Sequence, residues 1–275
     1  MSTTTSETSA RAHPPTAGAT LPAQIPGNRP TAGLPFTRLV HVELRKMLDT
    51  RAGRWLLIAI AVVIAGTLTI LFVQDGGEHP FSEYLQATTM PMAILLPVVG
   101  ILAVTSEWSQ RTALVTFTLE ARRSRVAWAK VTASLLVGVV AVAFSFALGT
   151  AAHAAAIGLR GATGDWELAG TVWLGAAGYV LLGLLNGIAF GMLLRNTPAA
   201  IVLYFVLPTA WSALGALWSG AEKAGRWLDM NRTMEPLFTG DLSGEQWAQL
   251  GTSVAAWVAL PLAVGMWLIT RVEVK

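Results

Sequence analysis

The chain has 275 residues, of which 53% are hydrophobic and only 13% are charged, and its mean hydropathy is +0.55. Soluble domains carry about a quarter charged residues, so this composition excludes an ordinary soluble globular protein. The chain has no Cys, which excludes disulfides and thiolate metal sites. The basic residues lie mainly in segments that flank apolar stretches. This distribution suits an anionic membrane surface and gives no reason to expect nucleic-acid binding.

The first 54 residues precede any membrane-length apolar stretch. Residues 1–34 are rich in Ser, Thr, Ala and Pro, which predicts a disordered tail, and residues 35–275 are expected to form one membrane domain. Apolar residues recur at helical spacing over residues 36–51, with Thr37 placed to cap the helix. Cationic side chains, including Arg45 and Lys46, lie largely outside the apolar face that these residues form. We therefore predict an amphipathic helix along the inner membrane surface, with a short solvated helix as the alternative.

Six windows free of Asp, Glu, Lys and Arg are long enough to cross a bilayer. A charge at mid-membrane costs about 2.5–3.5 kcal/mol, so windows this clean predict an all-α polytopic membrane protein with six transmembrane helices rather than a buried soluble core. The first window begins at residue 55, so no cleavable signal peptide is expected. The predicted spans are 55–73, 85–105, 131–157, 169–194, 199–218 and 251–270.

The orientation follows from the distribution of Lys and Arg. Close to the span ends, 13 of these residues fall on the side of both termini and 4 fall on the other side. Because cytoplasmic loops carry the excess of basic residues, both termini are expected in the cytoplasm. The protein itself is expected in the plasma membrane. The loop before the last span has Ser243 and Gln246 spaced as a capping box, so that helix is expected to begin outside the membrane.

Charge is concentrated in the segment from residue 106 to residue 130, between the second and third spans. Its arginines and lysine suggest a short basic helix, held between two rigid spans, that a partner could move. The alternative is a topology-determining loop that contacts only lipid headgroups. The residues singled out here are Glu107, Arg111, Thr112, Arg122, Arg123, Arg125 and Lys130.

Gly183, Gly187 and Gly191 recur every four residues in the fourth span. Small residues on one helical face allow another helix to approach closely, so we predict a helix–helix contact. The spacing does not distinguish a neighbour within the same chain from a second copy. Ala189 is expected on the opposite face, where a Leu would be tolerated.

Motifs for catalysis, nucleotide binding and metal binding are missing from the sequence. There is no Walker A motif, no H-E-x-x-H and no G-x-S-x-G, so no catalytic residues, cofactor or metal are predicted. Glu107 and Arg111 have the spacing of one intramembrane protease family, but the second glutamate and paired histidines of that family are absent. His153 is the only His, Asp, Glu, Lys or Arg within a predicted span, so a proton- or ion-coupled transporter is disfavoured.

The charged residues resemble the type-2 class of ABC exporter permeases, particularly the six-span forms of high-GC Gram-positive bacteria. Those proteins have a basic pre-span helix with a Glu and a Lys, a Glu…Gly-Thr segment after the second span, and a Pro-Arg-Arg-x-Arg…Ala-Lys run before the third. Two departures are Arg111 in place of Gly and Ala121 in place of Pro. The matching residues are Glu43, Arg45 and Lys46, then Glu107 and Thr112, then Arg122, Arg123, Arg125, Ala129 and Lys130.

The resemblance implies that residues 35–275 form the permease domain of an ATP-driven exporter. Two permease copies would pair, mainly through their first and fifth spans, which favours a neighbour within the same chain for the glycine face of the fourth span. Separate ATPase subunits would hold the 106–130 loop as a cytoplasmic coupling helix. ATP hydrolysis would take place on those subunits, and the spans would alternate access to a central path. Two other functions remain open: a secondary transporter or channel, and a membrane anchor or sensor subunit that transports nothing. The substrate could be a drug, an antibiotic, a lipid-like molecule, a peptide or an ion.

Overall fold

The structure is a computed structural model that describes residues 34–74, 79–110, 112, 120, 122–162, 166, 170–217 and 219–271. Within these residues all regular secondary structure is helical. The described residues form ten α-helices, a 3-10 turn at Glu235–Phe238 and a π-helical segment at Ala255–Ala259. The α-helices are α1 Phe36–Asp49, α2 Arg51–Gln74, α3 Phe81–Ser109, α4 Arg123–Arg160, α5 Gly170–Leu194, α6 Thr197–Leu217, α7 Ser219–Leu228, α8 Met230–Met234, α9 Gly244–Val254 and α10 Leu260–Arg271.

Six helices are long and apolar enough to cross a membrane, which confirms the predicted all-α fold with six helices of membrane-spanning length. They are α2 to α6 and the continuous helix formed by α9, the π-helical segment and α10. The fit to the predicted spans is close, except that α4 begins at Arg123 rather than near Val131 and the last helix begins at Gly244. The Ser243–Gln246 capping box is present, as predicted.

The predicted disordered tail and part of the predicted coupling helix lie outside the residues that the structure describes. The tail at residues 1–33 lies outside the described residues, and so do Arg111, residues 113–119 and Ala121 of the predicted coupling helix. Residues 106–109 continue α3, and residues 123–130 form the first turns of α4.

The centre of the fold is formed by α3 and α5. In each of these helices 56% of the apolar window is buried, whereas the value is 17% in α2 and 6% in α6. The outer faces of α2 and α6 are therefore the most extensive apolar surfaces that the described spans leave available to lipid or to another protein.

The glycine face of α5 packs against α3 of the same chain. A Cβ on Gly187 would clash with the carbonyl oxygen of Pro97 and lie 3.0 Å from its carbonyl carbon, while one on Gly191 would lie 3.3 Å from the Cα of Ile101. Without side chains at these positions the two backbones come into direct contact, which supplies packing in a lipid environment. The expectation for Ala189 is wrong: this residue is fully buried, because α5 has neighbours on more than one side.

Helix α1 precedes the first span and packs against α4 and α2. It begins at Phe36 after Pro35, without a side-chain cap, so the assignment of Thr37 as the N-cap is wrong. Proline suits this boundary because its fixed φ matches the chain entering a helix and it has no N–H to satisfy. The buried face consists of Val40, Glu43 and Met47.

Candidate functional site

Four charged side chains from three helices form a closed ring. Lys46 Nζ lies 2.8 Å from Glu43 Oε1 and 2.7 Å from Glu107 Oε1. Lys130 Nζ lies 2.7 Å from Glu43 Oε2 and 3.0 Å from Glu107 Oε1. Each lysine therefore bridges both glutamates, and the two positive charges balance the two negative ones. We call Glu43, Lys46, Glu107 and Lys130 the ion ring.

Helix geometry explains how the ring assembles. Glu43 and Lys46 are three residues apart on α1, a spacing that places both on one face of a helix. Glu107 lies in the last turn of α3, and Lys130 lies two turns into α4. The ring thus joins the helix before the first span to the ends of the second and third spans on one side of the protein.

Three members of the ring are almost fully buried. The side chains of Glu43 and Lys130 are 7% exposed and that of Glu107 is 9% exposed, whereas Lys46 is 40% exposed. Removing such charges from water is costly, and only close pairing with good geometry offsets the cost. Each buried carboxylate here contacts two ammonium groups. The arrangement is therefore sensitive to the loss of any single member.

The pKa of Lys46 reflects the same opposition between the cost of burial and the gain from ion pairing. Burial would lower the pKa of this ammonium group, but the carboxylates of Glu43 and Glu107 outweigh burial and raise the pKa above its ordinary value. A raised pKa means that the charged form is favoured in the folded protein. The stabilising contribution of Lys46 is therefore complete at neutral pH and is lost only as the pH rises above about 10.5, the ordinary pKa of a lysine.

The predicted arginine cluster lies at the start of α4. Arg125 donates to the carbonyl oxygen of Leu34 at 2.7 Å and pairs with Glu120 at 3.5 Å. Arg123 donates to the carbonyl oxygen of Ile269 at 3.3 Å, which ties α4 to the end of α10. Arg122 is exposed, and its backbone N–H donates to Glu120. Arg122 is thus the member of this cluster whose side chain is most available to another molecule.

Two other predicted residues lie close to the ring without joining it. The backbone N–H of Thr112 donates to the carbonyl oxygen of Glu107 at 2.9 Å, so the chain stays close to α3 as it leaves the span. Arg45 is exposed and pairs with Asp49 one turn later at 3.1 Å. Exposed pairs of this kind contribute little to stability.

Sequence reasoning missed two polar features at this end of the protein. Thr197 at the start of α6 shares hydrogen bonds with Thr105 at 2.7 Å and with Ser109 at 3.1 Å, so the fifth span is joined to the end of the second. Glu120 was also not singled out, although it contacts both Arg122 and Arg125. Hydroxyl residues at span ends are too common for such pairs to be recognised before the helices are placed.

Neither the comparison with known protein-family models nor that with curated proteins finds a match for this chain.

Proposed function

We propose that this protein is the membrane permease subunit of an ATP-driven ABC exporter and that it is moved by a separate ATPase subunit. The observation that carries the proposal is the ion ring. Its four members are among the residues that carry the resemblance to type-2 exporter permeases, and they come from three separate segments of the sequence. Their closure into one ring, in which three of the four side chains are almost fully buried, supports a common mechanical role for these segments.

The ring supports a coupling role because of its position. The 106–130 segment begins in the last turn of α3, beside Glu107, and ends at Lys130, two turns into α4. Both Glu107 and Lys130 are paired with residues of α1. A partner that displaces this segment would therefore move α1, α3 and α4 together rather than bend one helix. Such a joined element could have two arrangements, and ATP binding to the partner would favour one of them.

In this proposal the coupling segment and both termini face the cytoplasm, and the protein lies in the plasma membrane. Two permease copies, identical or similar, form the translocation path. ATP hydrolysis takes place on the ATPase partner. The basic exposed side chains of α1, such as Arg38 and Arg45, contact anionic lipid headgroups.

The deciding experiment is transport in reconstituted vesicles. The permease is co-expressed with a candidate ABC ATPase subunit, and efflux of candidate substrates is measured with ATP and with a non-hydrolysable analogue. Substrate movement that requires both ATP hydrolysis and this chain supports the proposal. Movement that persists without the ATPase subunit favours a secondary transporter or channel. A stable complex with the ATPase but no movement of any substrate favours a sensor or anchor.

Cysteine labelling tests the orientation. Gln110 and Asp241 are both exposed, they lie at opposite ends of the spans, and the chain has no Cys of its own. Asp241→Cys should react with a membrane-impermeant maleimide in intact cells, whereas Gln110→Cys should react only after the membrane is permeabilised. The reverse pattern would place the coupling segment outside the cell and contradict the proposed function.

Charge reversal at Arg122 tests the ATPase contact. Arg122→Glu should weaken co-purification of the ATPase subunit about tenfold while leaving membrane insertion unchanged, because a rim charge that meets an acidic surface becomes repulsive. The control is Arg232→Glu, which makes the same change at an exposed position in the loop before the last span. Equal recovery of ATPase with both variants would remove Arg122 from the interface.

A further inference from the structure

A second polar feature lies within the spans, well away from the ion ring. A cavity of about 260 Å³ is enclosed by α3, α5, α6 and α8. Asn186 forms part of its wall, about 12 Å along the axis of α5 from the end of that helix at Leu194. A smaller cavity of about 20 Å³ adjoins it and shares Asn186, Pro208 and Met230 with it.

Two polar atoms at these cavities have no hydrogen-bond partner. Asn186 is only 7% exposed, and its Oδ1 atom is buried without a donor. Trp211 lines the smaller cavity, and its indole N–H is buried without an acceptor. Pro208 has no N–H, so the carbonyl of Tyr204, one turn earlier on α6, lacks its usual helical donor. Buried polar groups in proteins are nearly always satisfied, so this concentration of unsatisfied groups indicates a site for a polar partner.

The rest of the wall combines the polar side chains of Thr209 and Asn231 with apolar and aromatic ones. Tyr179, Tyr204 and Phe205 contribute rings, and Met230 and Met234 contribute flexible thioether side chains that adapt to irregular shapes. No Asp, Glu, Lys, Arg or His is among the described residues that line the larger cavity. Asp229 lines the adjoining smaller cavity, where its carboxylate accepts from the backbone N–H groups of Asn231 and Arg232. A charged ligand in the larger cavity would therefore be desolvated without a counter-charge in its wall, which disfavours ions and strongly acidic or basic molecules.

The cavity is open on the outside of this chain's helix bundle. Three of its lining residues are substantially exposed: Met90 at 45%, Ile94 at 54% and Phe205 at 40%. These residues belong to α3 and α6, and Asn231 of α8, which also lines the cavity, is exposed as well. A molecule that reaches the outer face between α3 and α6 can therefore enter the site.

We propose that this cavity binds a small, uncharged, amphipathic molecule that carries an aromatic ring and a hydrogen-bond donor. The donor satisfies Asn186 Oδ1, and the ring packs among Tyr204, Phe205 and the methionines. Small-molecule sites commonly combine an apolar wall with a few buried polar groups that orient the ligand. The proposal does not depend on an ATPase partner, because the site lies within a single chain.

Photolabelling with 4-aminobenzophenone tests the site. This probe is uncharged, has two aromatic rings and an N–H donor, and on irradiation inserts into nearby C–H bonds, preferentially those of methionine. The purified protein in lipid nanodiscs is irradiated with the probe, and adducts are located by peptide mass spectrometry. We expect adducts on Met230 and Met234, which are 7% and 4% exposed and reachable through the cavity. Half-buried Met266 on α10, outside the cavity, reports labelling from the bilayer alone.

Three variants make the test specific. Ala93→Phe places a ring in the cavity from α3 and should abolish adducts on Met230 and Met234, whereas Ala143→Phe, at an exposed position on α4, should leave them unchanged. Asn186→Leu should reduce them about five- to tenfold, because the acceptor is lost. Thermal unfolding confirms that each variant is folded.

Adducts on Met230 and Met234 that survive Ala93→Phe, or adducts that are equally frequent on Met266, would overturn the proposed site. Unchanged labelling of Asn186→Leu would overturn the requirement for a donor.

Discussion

Replacing Lys130 with Met should lower the free energy of unfolding by about 3–5 kcal/mol, the loss expected when one partner of a buried ion pair is removed. Lys130 contacts both Glu43 and Glu107, and all three side chains are less than 10% exposed. In Lys130→Met the two carboxylates would share Lys46 alone, which is 40% exposed. The change can be measured by unfolding the purified protein in mixed micelles of mild detergent and increasing dodecyl sulfate.

The same helix that supplies half of the ring supplies the control. Arg45 pairs with Asp49 on the exposed side of α1, so Arg45→Met removes a cation from an ion pair without burying an unpaired charge. Its cost should stay within about 0.5 kcal/mol. If Lys130→Met costs no more than Arg45→Met, the ring does not hold α1 to the spans, and the coupling argument loses its physical basis.

A double substitution separates pairing from packing. Glu43→Met combined with Lys130→Met removes one negative and one positive charge and leaves Lys46 paired with Glu107 at 2.7 Å. Replacing a buried ion pair by apolar side chains of similar volume is often close to neutral. The double variant should therefore be more stable than Lys130→Met alone. A double variant that is less stable than the single one would show that packing around the ring dominates its charges.

The spans could be predicted from the sequence because the membrane imposes a simple rule: about 20 residues without a charge. The same rule explains where the predicted boundaries fell short. Residues 123–130 carry two arginines and a lysine, so a charge-free window excluded them, yet they form the first turns of α4. The helix extends through them because Arg123, Arg125 and Lys130 find partners in the chain at 3.5 Å or less.

The ion ring could be predicted only in part. Glu43, Lys46, Glu107 and Lys130 were all singled out, but as separate elements with separate roles. They lie as much as 87 residues apart in sequence, and helical periodicity fixes the face of a residue within its own helix, not the neighbour that it meets. Ala189 shows the same limit: its position opposite Gly187 was argued from α5 alone, whereas the neighbouring helices decide that both faces are buried.

Gly187→Leu should destabilise the folded protein by about 3 kcal/mol or more, at the upper end of the range for overpacking. The position tolerates no Cβ, because such an atom would clash with the backbone carbonyl of Pro97, and backbone cannot move aside as a flexible side chain can. To accommodate the Leu side chain, α5 and α3 would have to move apart from each other. These two helices are the most buried spans of the chain, so their separation disturbs the centre of the fold.

Gly178 offers a matched control on the same helix. A Cβ at this half-buried position would meet no atom outside its own helix backbone within 4 Å, so Gly178→Leu should not destabilise the protein. The higher helix propensity of Leu should instead raise the free energy of unfolding by up to about 1 kcal/mol. Unfolding is measured in mixed micelles, with oligomer size determined alongside by light scattering. Since Pro97 belongs to the same chain, loss of stability should appear in the monomer. Equal stability of the two variants would contradict the packing of α5 on α3. A stable Gly187→Leu monomer that no longer pairs would instead assign the glycine face to the contact between two copies.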